Sequence, residues 1–374
     1  MSKAYKILSL LLVFIFILFF SSCSVGPGEK APADEGAGSV TAPALEQSDG
    51  KEVRQPGFAI HFIDVGQGDA ALILCGQKSM LIDGGSPEAS DIIYTYLKKM
   101  GITQLSYIVC THADEDHVGG LPGALTAASA GAVLAPRTEA DTRAYLSFKQ
   151  KVSDSGLTIW HPQHGDSFEL GDSTVTVLGP IDENTSERNN TSLVLKVEYG
   201  ERSFLFTGDM EFEEEQDILD MGYNLSADVL KVSHHGSKGA SSQQFLKAVA
   251  PEYAVISAGR NNSYGHPAAE TLFRLKDAGA KVLRTDMQGD IIITSDGKGL
   301  YVTVAKNAGA DTFKAPDDGG GQGAEAGMYI GNKNSKKFHR QDCRALPAEK
   351  NRVYFDSRDK AIQNGYDPCK ICNP

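Results

Sequence analysis

The order of apolar and polar positions divides the chain into stretches of different character. From residue 57 to about 306, short apolar runs alternate with segments of helical spacing. Strand patterns cover Gly57–Asp64, Ala70–Leu74, Ser79–Ile82, Leu105–Cys110, Thr174–Leu178, Ser192–Tyr199, Ser203–Phe206, Val229–Val232 and Tyr253–Ser257. Helical spacing covers Asp91–Met100, Glu213–Asp220, Gln243–Val249 and Ala268–Ala278. Strands interleaved with helices predict an α/β domain whose sheets are covered on their outer faces.

Two other stretches have no such period. Residues 24–56, rich in Gly, Ala, Pro, Ser and acidic residues, read as a flexible tether. Asn307–Gly327, with its Pro316-Asp317-Asp318-Gly319-Gly320-Gly321 run, reads as a Gly-rich linker. Residues 1–23 differ again: Lys3 and Lys6 precede a stretch of 14 residues, Ile7 to Phe20, that is apolar except for Ser9. That length is short for a membrane span, which takes ~20, and suits the core of a signal peptide. Ser21-Ser22-Cys23 then resembles a bacterial lipobox. The resemblance implies acylation of Cys23 and an extracytoplasmic protein, lipid-anchored to the bacterial cell membrane or secreted.

Composition sets limits. The 374 residues, 41% apolar and 22% charged, suit two or three folded units and exclude a disordered or fibrous chain. Six cysteines are too few for a disulfide framework, and Cys75 and Cys110, in apolar strands, read as core. A net charge of −12 argues against a basic nucleic-acid coat protein, but not against an enzyme that meets nucleic acid through bound metal.

The chemistry concentrates in His112-Ala113-Asp114-Glu115-Asp116-His117, directly after the strand Leu105–Cys110 and before Val118-Gly119-Gly120, which opens a short helix. In an extended loop His112 and Asp114 point the same way. Asp116 and His117 sit at the turn into the helix and face a neighbouring position. One loop can therefore serve two metals.

His-x-Asp-x-Asp-His resembles the signature of the metallo-β-lactamase fold, an αββα sandwich. Asp209, ending Phe204-Leu205-Phe206-Thr207-Gly208-Asp209, matches the family's bridging aspartate, and His234-His235-Gly236-Ser237 its late histidine. With Phe62–Ala70, Leu81–Gly85 and Asn262-Ser263-Tyr264-Gly265-His266-Pro267, the segment 57–306 is similar to the hydrolase domain of ComEC-type competence proteins. The resemblance implies a first metal on His112 and Asp114, a second on Asp116 and His117, and Asp209 on both. It implies a late ligand at His235, or alternatively His234, and His266 as ligand or as donor to a substrate phosphate. Asp116, Asp209 and His266 are the expected catalytic residues. Asp64, Gln67 and Asp69 are expected to shape the site.

One departure matters. Many enzymes of this fold supply a further histidine between the two aspartates, where this chain reads Arg188-Asn189-Asn190-Thr191-Ser192. The first site is then richer in oxygen, which moves the preference from zinc toward manganese or magnesium. Asn190 and Ser192 become candidate substrate contacts.

The segment 328–374 carries ten basic and five acidic residues, so it is +5 and the rest of the chain −17. His339-x3-Cys343 and Cys369-x2-Cys372 give one imidazole and three thiolates, the donor set of a closed structural zinc site, with a disulfide as the alternative. The segment resembles the zinc-binding domain of the Ada DNA-repair protein, with His339 in place of the methyl-accepting cysteine. An imidazole cannot reproduce that thiolate chemistry, so a basic, zinc-stapled module is what carries over.

Together these features predict an exported, metal-dependent phosphodiesterase with DNA as its substrate; no protein partner can be inferred. The rivals are a surface phosphodiesterase of the phosphocholine-esterase type and a non-catalytic DNA-binding lipoprotein of DNA uptake.

Overall fold

The computed structural model describes residues 57–183, 185–316, 329–340, 343–355 and 358–372. Residues 1–23, read as a signal peptide with Cys23, residues 24–56, read as a tether, and most of the stretch read as a Gly-rich linker lie outside the described residues. Among the described residues no helix is long and apolar enough to cross a membrane.

Two mixed sheets face each other. The eight-stranded sheet runs Leu300–Val304, Ile291–Ser295, Phe58–Phe62, Ala71–Cys75, Lys78–Ile82, Gln104–Val109, Ser129–Leu134, Ile159–Trp160. The seven-stranded sheet runs Lys281–Arg284, Tyr253–Ile256, Val229–Lys231, Arg202–Phe206, Val194–Tyr199, Ser173–Gly179, Ser167–Leu170. Period-2 alternation sends Phe58, Ile60 and Phe62 into the space between the sheets, where they meet Val197, Phe204 and Phe206. Phe58 stacks on both Tyr199 and Phe204, at ring separations of 4.9 and 4.7 Å.

The outer faces are covered by helices. Ser90–Lys99, Leu121–Ala127 and Arg143–Asp154 bury Ile93, Leu97, Leu121 and Phe148 against the first sheet. Phe212–Asp220, Gln243–Val249 and Ala269–Asp277 bury Ile218, Phe245, Leu246 and Leu272 against the second. Helix–sheet–sheet–helix is the αββα sandwich expected.

The stretch read as linker from Asn307 stays on this body as far as residue 316. Thr312 donates its hydroxyl to the Val282 carbonyl (2.8 Å), the buried Arg284 guanidinium donates to the Thr312 and Lys314 carbonyls, and Phe313 and Ala315 pack on the second core.

The C-terminal module is a four-stranded sheet, Arg352–Phe355, Tyr329–Asn332, Lys337–Arg340, Asp367–Pro368, around Phe338, Phe355, Ala361 and Tyr366. Four core residues cannot carry a domain of this size unaided. It rests on the hydrolase domain through Tyr354, whose ring lies 5.5 Å from Phe273 and whose hydroxyl donates to Gln243 Oε1 at 3.5 Å.

Candidate metal centre

Strand ends and one helix N-terminus converge at one edge of the sandwich. The strand Gln104–Val109 delivers His112; a one-turn helix, Glu115–Val118, delivers Asp116 and His117; the strand Arg202–Phe206 delivers Asp209. His234 and His235 lie in a turn after Val229–Lys231, both with positive φ (48° and 52°). Glycines let these loops meet. Gly68 (φ 122°) sits so close to the Asp116 backbone that a Cβ would lie 2.1 Å from its carbonyl oxygen. Asp69 N–H donates to that same carbonyl.

Three imidazoles form a row, with ring centres 4.1 Å apart for His112 and His117 and 5.2 Å for His117 and His235. Each turns Nε2 inward because Nδ1 is occupied behind it. His117 Nδ1 lies 2.9 Å from Asp83 Oδ2, His235 Nδ1 donates to the Ser257 carbonyl (2.9 Å) and lies 3.1 Å from Asp69 Oδ1, and His112 Nδ1 is 3.2 Å from Thr111 Oγ1. Asp209 stands among them, Oδ1 3.2 Å from His117 Nε2 and Oδ2 3.3 Å from His235 Nε2. Asp116 Oδ2 is 3.3 Å from His235 Nε2, and Asp114 Oδ2 is 3.8 Å from His112 Nε2.

The Nε2 atoms of all three histidines and Asp209 Oδ1 are buried without a hydrogen-bond partner. Buried polar atoms left unpaired cost roughly 1–3 kcal/mol each, so four converging on one space mark a place built for a ligand. Asp69, His117, Asp209 and His235 each bring one ligand atom within 4.8 Å of the others. These residues fit a divalent metal centre.

Electrostatics agrees. Burial alone would raise the Asp209 carboxyl, but His117 and His235 hold it well below the usual carboxylate range. Burial opposes charge on His117 and His235, and the carboxylates around them outweigh it. His112 is lowered by burial and by His117. His266 is lowered to about 4 by burial and by His234 and His235, so it is a neutral imidazole at physiological pH, with Nδ1 unpaired.

The structure sorts the remaining expectations. Of the adjacent histidines, His235 is the one turned into the cluster. His234 is partly exposed, with Nδ1 3.1 Å from Glu211 and Nε2 3.8 Å from Asp209 Oδ2. Asp69 is clamped by the buried Lys231 at 2.7 Å, and Gln67 accepts the Gly259 N–H at 3.0 Å. Asp64 has other partners: its N–H donates to Asp290 Oδ1 (2.8 Å) and its carboxylate lies 3.6 Å from Lys306 Nζ.

Asn190 and Ser192, the candidate substrate contacts, have structural partners of their own. Both are buried: Asn190 Oδ1 accepts the Glu211 N–H (2.8 Å) and Ser192 Oγ the Asp209 N–H (3.0 Å). Ser192 thus braces Asp209, and Asn190 braces Glu211 two residues on. The residue of that turn that does reach the site is Arg188, whose guanidinium, itself 41% exposed, holds Asp114 Oδ1 at 2.5 Å.

Asp83 was missed as a site residue. Its carboxylate accepts from Thr111 N–H (2.8 Å) and Thr111 Oγ1–H (2.7 Å) while orienting His117. A charged residue ending the apolar strand Lys78–Ile82 was the available signal, as was Lys231 closing Val229–Lys231.

In the C-terminal module His339, Cys343, Cys369 and Cys372 bring their ligand atoms within 4.8 Å of one another. Cys343, Cys369 and Cys372 are free thiols, as are the buried Cys75 and Cys110.

Comparison with known proteins agrees with both centres. The description "Metallo-beta-lactamase superfamily" matches residues 63–260, and "Metal binding domain of Ada" matches residues 322–374. ComE operon protein 3 of Bacillus subtilis is 34% identical over 250 residues, 62% of this chain and 32% of that protein. Competence protein ComA of Neisseria gonorrhoeae is 33% identical over 233 residues, 62% of this chain and 31% of that protein. The chain thus spans about a third of the length of these curated relatives. Among solved structures, the metallo-beta-lactamase fold protein YhfI from Bacillus subtilis is 14% identical with a TM-score of 0.41, covering 60% of this chain and 96% of that one. With more than half of its residues matched, the chain belongs to the metallo-beta-lactamase superfamily, a metal-dependent hydrolase fold related to competence proteins and joined here to an Ada-type metal-binding domain.

Proposed function

We propose that the cluster is a dinuclear metal centre and that the protein is an exported phosphodiesterase acting on DNA. The observation that carries the reading is that two His–Asp pairs, His112 with Asp114 at 3.8 Å and His235 with Asp116 at 3.3 Å, stand in one cluster with the buried Asp209. When bound, a pair of divalent ions lowers the pKa of water and stabilises negative charge on phosphoryl oxygens. His112, Asp114 and Asp209 would hold one ion; Asp116, His117, His235 and Asp209 the other. The first set is oxygen-rich, which favours manganese or magnesium over zinc.

The chain's own residues supply the rest. Asp83, Asp69 and the Ser257 carbonyl fix the imidazole orientations, and Ser192 fixes Asp209. Arg188 balances Asp114 and leaves part of its guanidinium in solvent, where an anionic phosphodiester is attracted. The neutral His266 offers a hydrogen bond to a phosphate oxygen. DNA is favoured by the +5 C-terminal module and by relatives named for competence. The apolar run Ile7 to Phe20, followed by Ser21-Ser22-Cys23, supports export and a lipid anchor. The test is hydrolysis of single- and double-stranded DNA by residues 54–374 with Mn²⁺, Mg²⁺ or Zn²⁺. Cleavage abolished by Asp116→Ala and by Asp209→Ala is expected; metal-replete protein inert on both DNAs would sink the reading.

A further inference from the structure

Above the cluster lies a loop that carries an exposed aromatic ring. Tyr264 is 67% exposed, the highest of the exposed large apolar side chains among the described residues. A lone exposed aromatic is ordinary; this one is held in place. Its ring stacks on His266, with centres 5.7 Å apart and planes 24° from parallel. His266 lies 6.4 Å from His235, with planes 29° apart, so three rings continue from the cluster to the surface.

The loop is tied at both ends. Asn262 donates its amide to the Gly259 carbonyl (2.9 Å) and the His266 carbonyl (2.6 Å). Its side-chain oxygen accepts from the N–H groups of Tyr264 (3.1 Å) and His266 (3.0 Å). Gln67, from the first glycine-rich turn, holds the Gly259 N–H. Arg260, on the same loop, is exposed. A flat aromatic face fixed before any ligand arrives is the arrangement that binds unpaired nucleobases: every base offers a π face, and little ordering entropy remains to be lost.

We propose that Tyr264 is a stacking platform for an unpaired base beside the scissile phosphodiester, so that the site takes single-stranded or frayed nucleic acid in preference to an intact duplex. This rests on the phosphodiesterase reading. Tyr264 acts as a specificity residue, through the base and not through the reacting phosphorus.

The test uses the full chain loaded with Mn²⁺ and two substrates of equal length, oligothymidylate and an abasic deoxyribose-phosphate oligomer. Tyr264→Ala is expected to raise KM for oligothymidylate roughly 10- to 100-fold. The loss on the abasic oligomer should be at least about fivefold smaller, and Tyr264→Phe should behave as wild type. An unchanged KM for oligothymidylate, or an equal loss on both substrates, overturns the platform while the phosphodiesterase reading stands. If wild type cleaves neither, that reading falls. Fluorescence anisotropy of labelled oligothymidylate then decides the platform: weaker binding by Tyr264→Ala supports it and equal binding overturns it.

Discussion

Asp83→Asn perturbs the centre without replacing a proposed ligand. Asp83 has φ 58°, a left-handed conformation that asparagine adopts as readily as aspartate, so the backbone should not change. Asparagine has one acceptor oxygen where aspartate has two. If that oxygen stays with Thr111, the amide N–H₂ faces His117 Nδ1, which must then accept. The proton moves to Nε2, and the nitrogen aimed at Asp209 becomes a donor instead of a ligand. Loss of such an outer partner typically costs 10- to 100-fold in metal affinity, about 1.4–2.7 kcal/mol. Titration calorimetry of apoprotein with Mn²⁺ reads this directly, with circular dichroism to show that the fold persists. Affinity within about twofold of wild type, on a native fold, would refute the claim that Asp83 sets the His117 tautomer.

Three further outcomes follow from other parts of the molecule. Burial, reinforced by Asp217 and Asp182, pushes the Glu214 carboxyl up to about 8. The group is protonated in the folded state where the unfolded chain has lost its proton, so its contribution is complete below pH ~4.5 and is lost as pH rises through 8. Glu214→Gln should therefore gain stability on wild type between pH 6 and 8.5, by roughly 2 kcal/mol in denaturant titrations. Arg188→Gln should raise KM for a phosphodiester several-fold yet change unfolding free energy by less than about 1 kcal/mol, because a half-exposed ion pair is worth little to the fold; steady-state kinetics and urea titration check both. Cys369→Ser, which breaks the His339–Cys343–Cys369–Cys372 set, should abolish hydrogen-exchange protection of Tyr329–Asn332 and Lys337–Arg340 and leave the strand Phe58–Phe62 protected.

Much of the fold was legible because buried strands leave unbroken apolar runs: Leu105–Cys110 and Ser203–Phe206 stand within a residue or two of their observed ends. Ser129–Leu134 is small and mixed in character and left no run, while Ile291–Ser295 and Leu300–Val304 are strands that the reading passed over. The His112–His117 loop was legible because its spacing is itself chemical. The supports behind it were not. Asp83, Lys231 and Ser192 act across separations of 34, 162 and 17 residues, on His117, Asp69 and Asp209, and no local pattern encodes a register between two sheets. The same distance blindness hid the bracing roles of Asn190 and Ser192, which accept the Glu211 and Asp209 N–H groups.

The central claim is that one buried cluster holds two metal ions, and counting them is the most direct test. Native mass spectrometry of residues 54–374 loaded with Mn²⁺ and Zn²⁺ should show three ions per chain, one lost with Cys369→Ser and two weakened by Asp209→Ala. A wild-type chain whose only ion is lost with Cys369→Ser, or one that keeps a single ion elsewhere, would contradict the account.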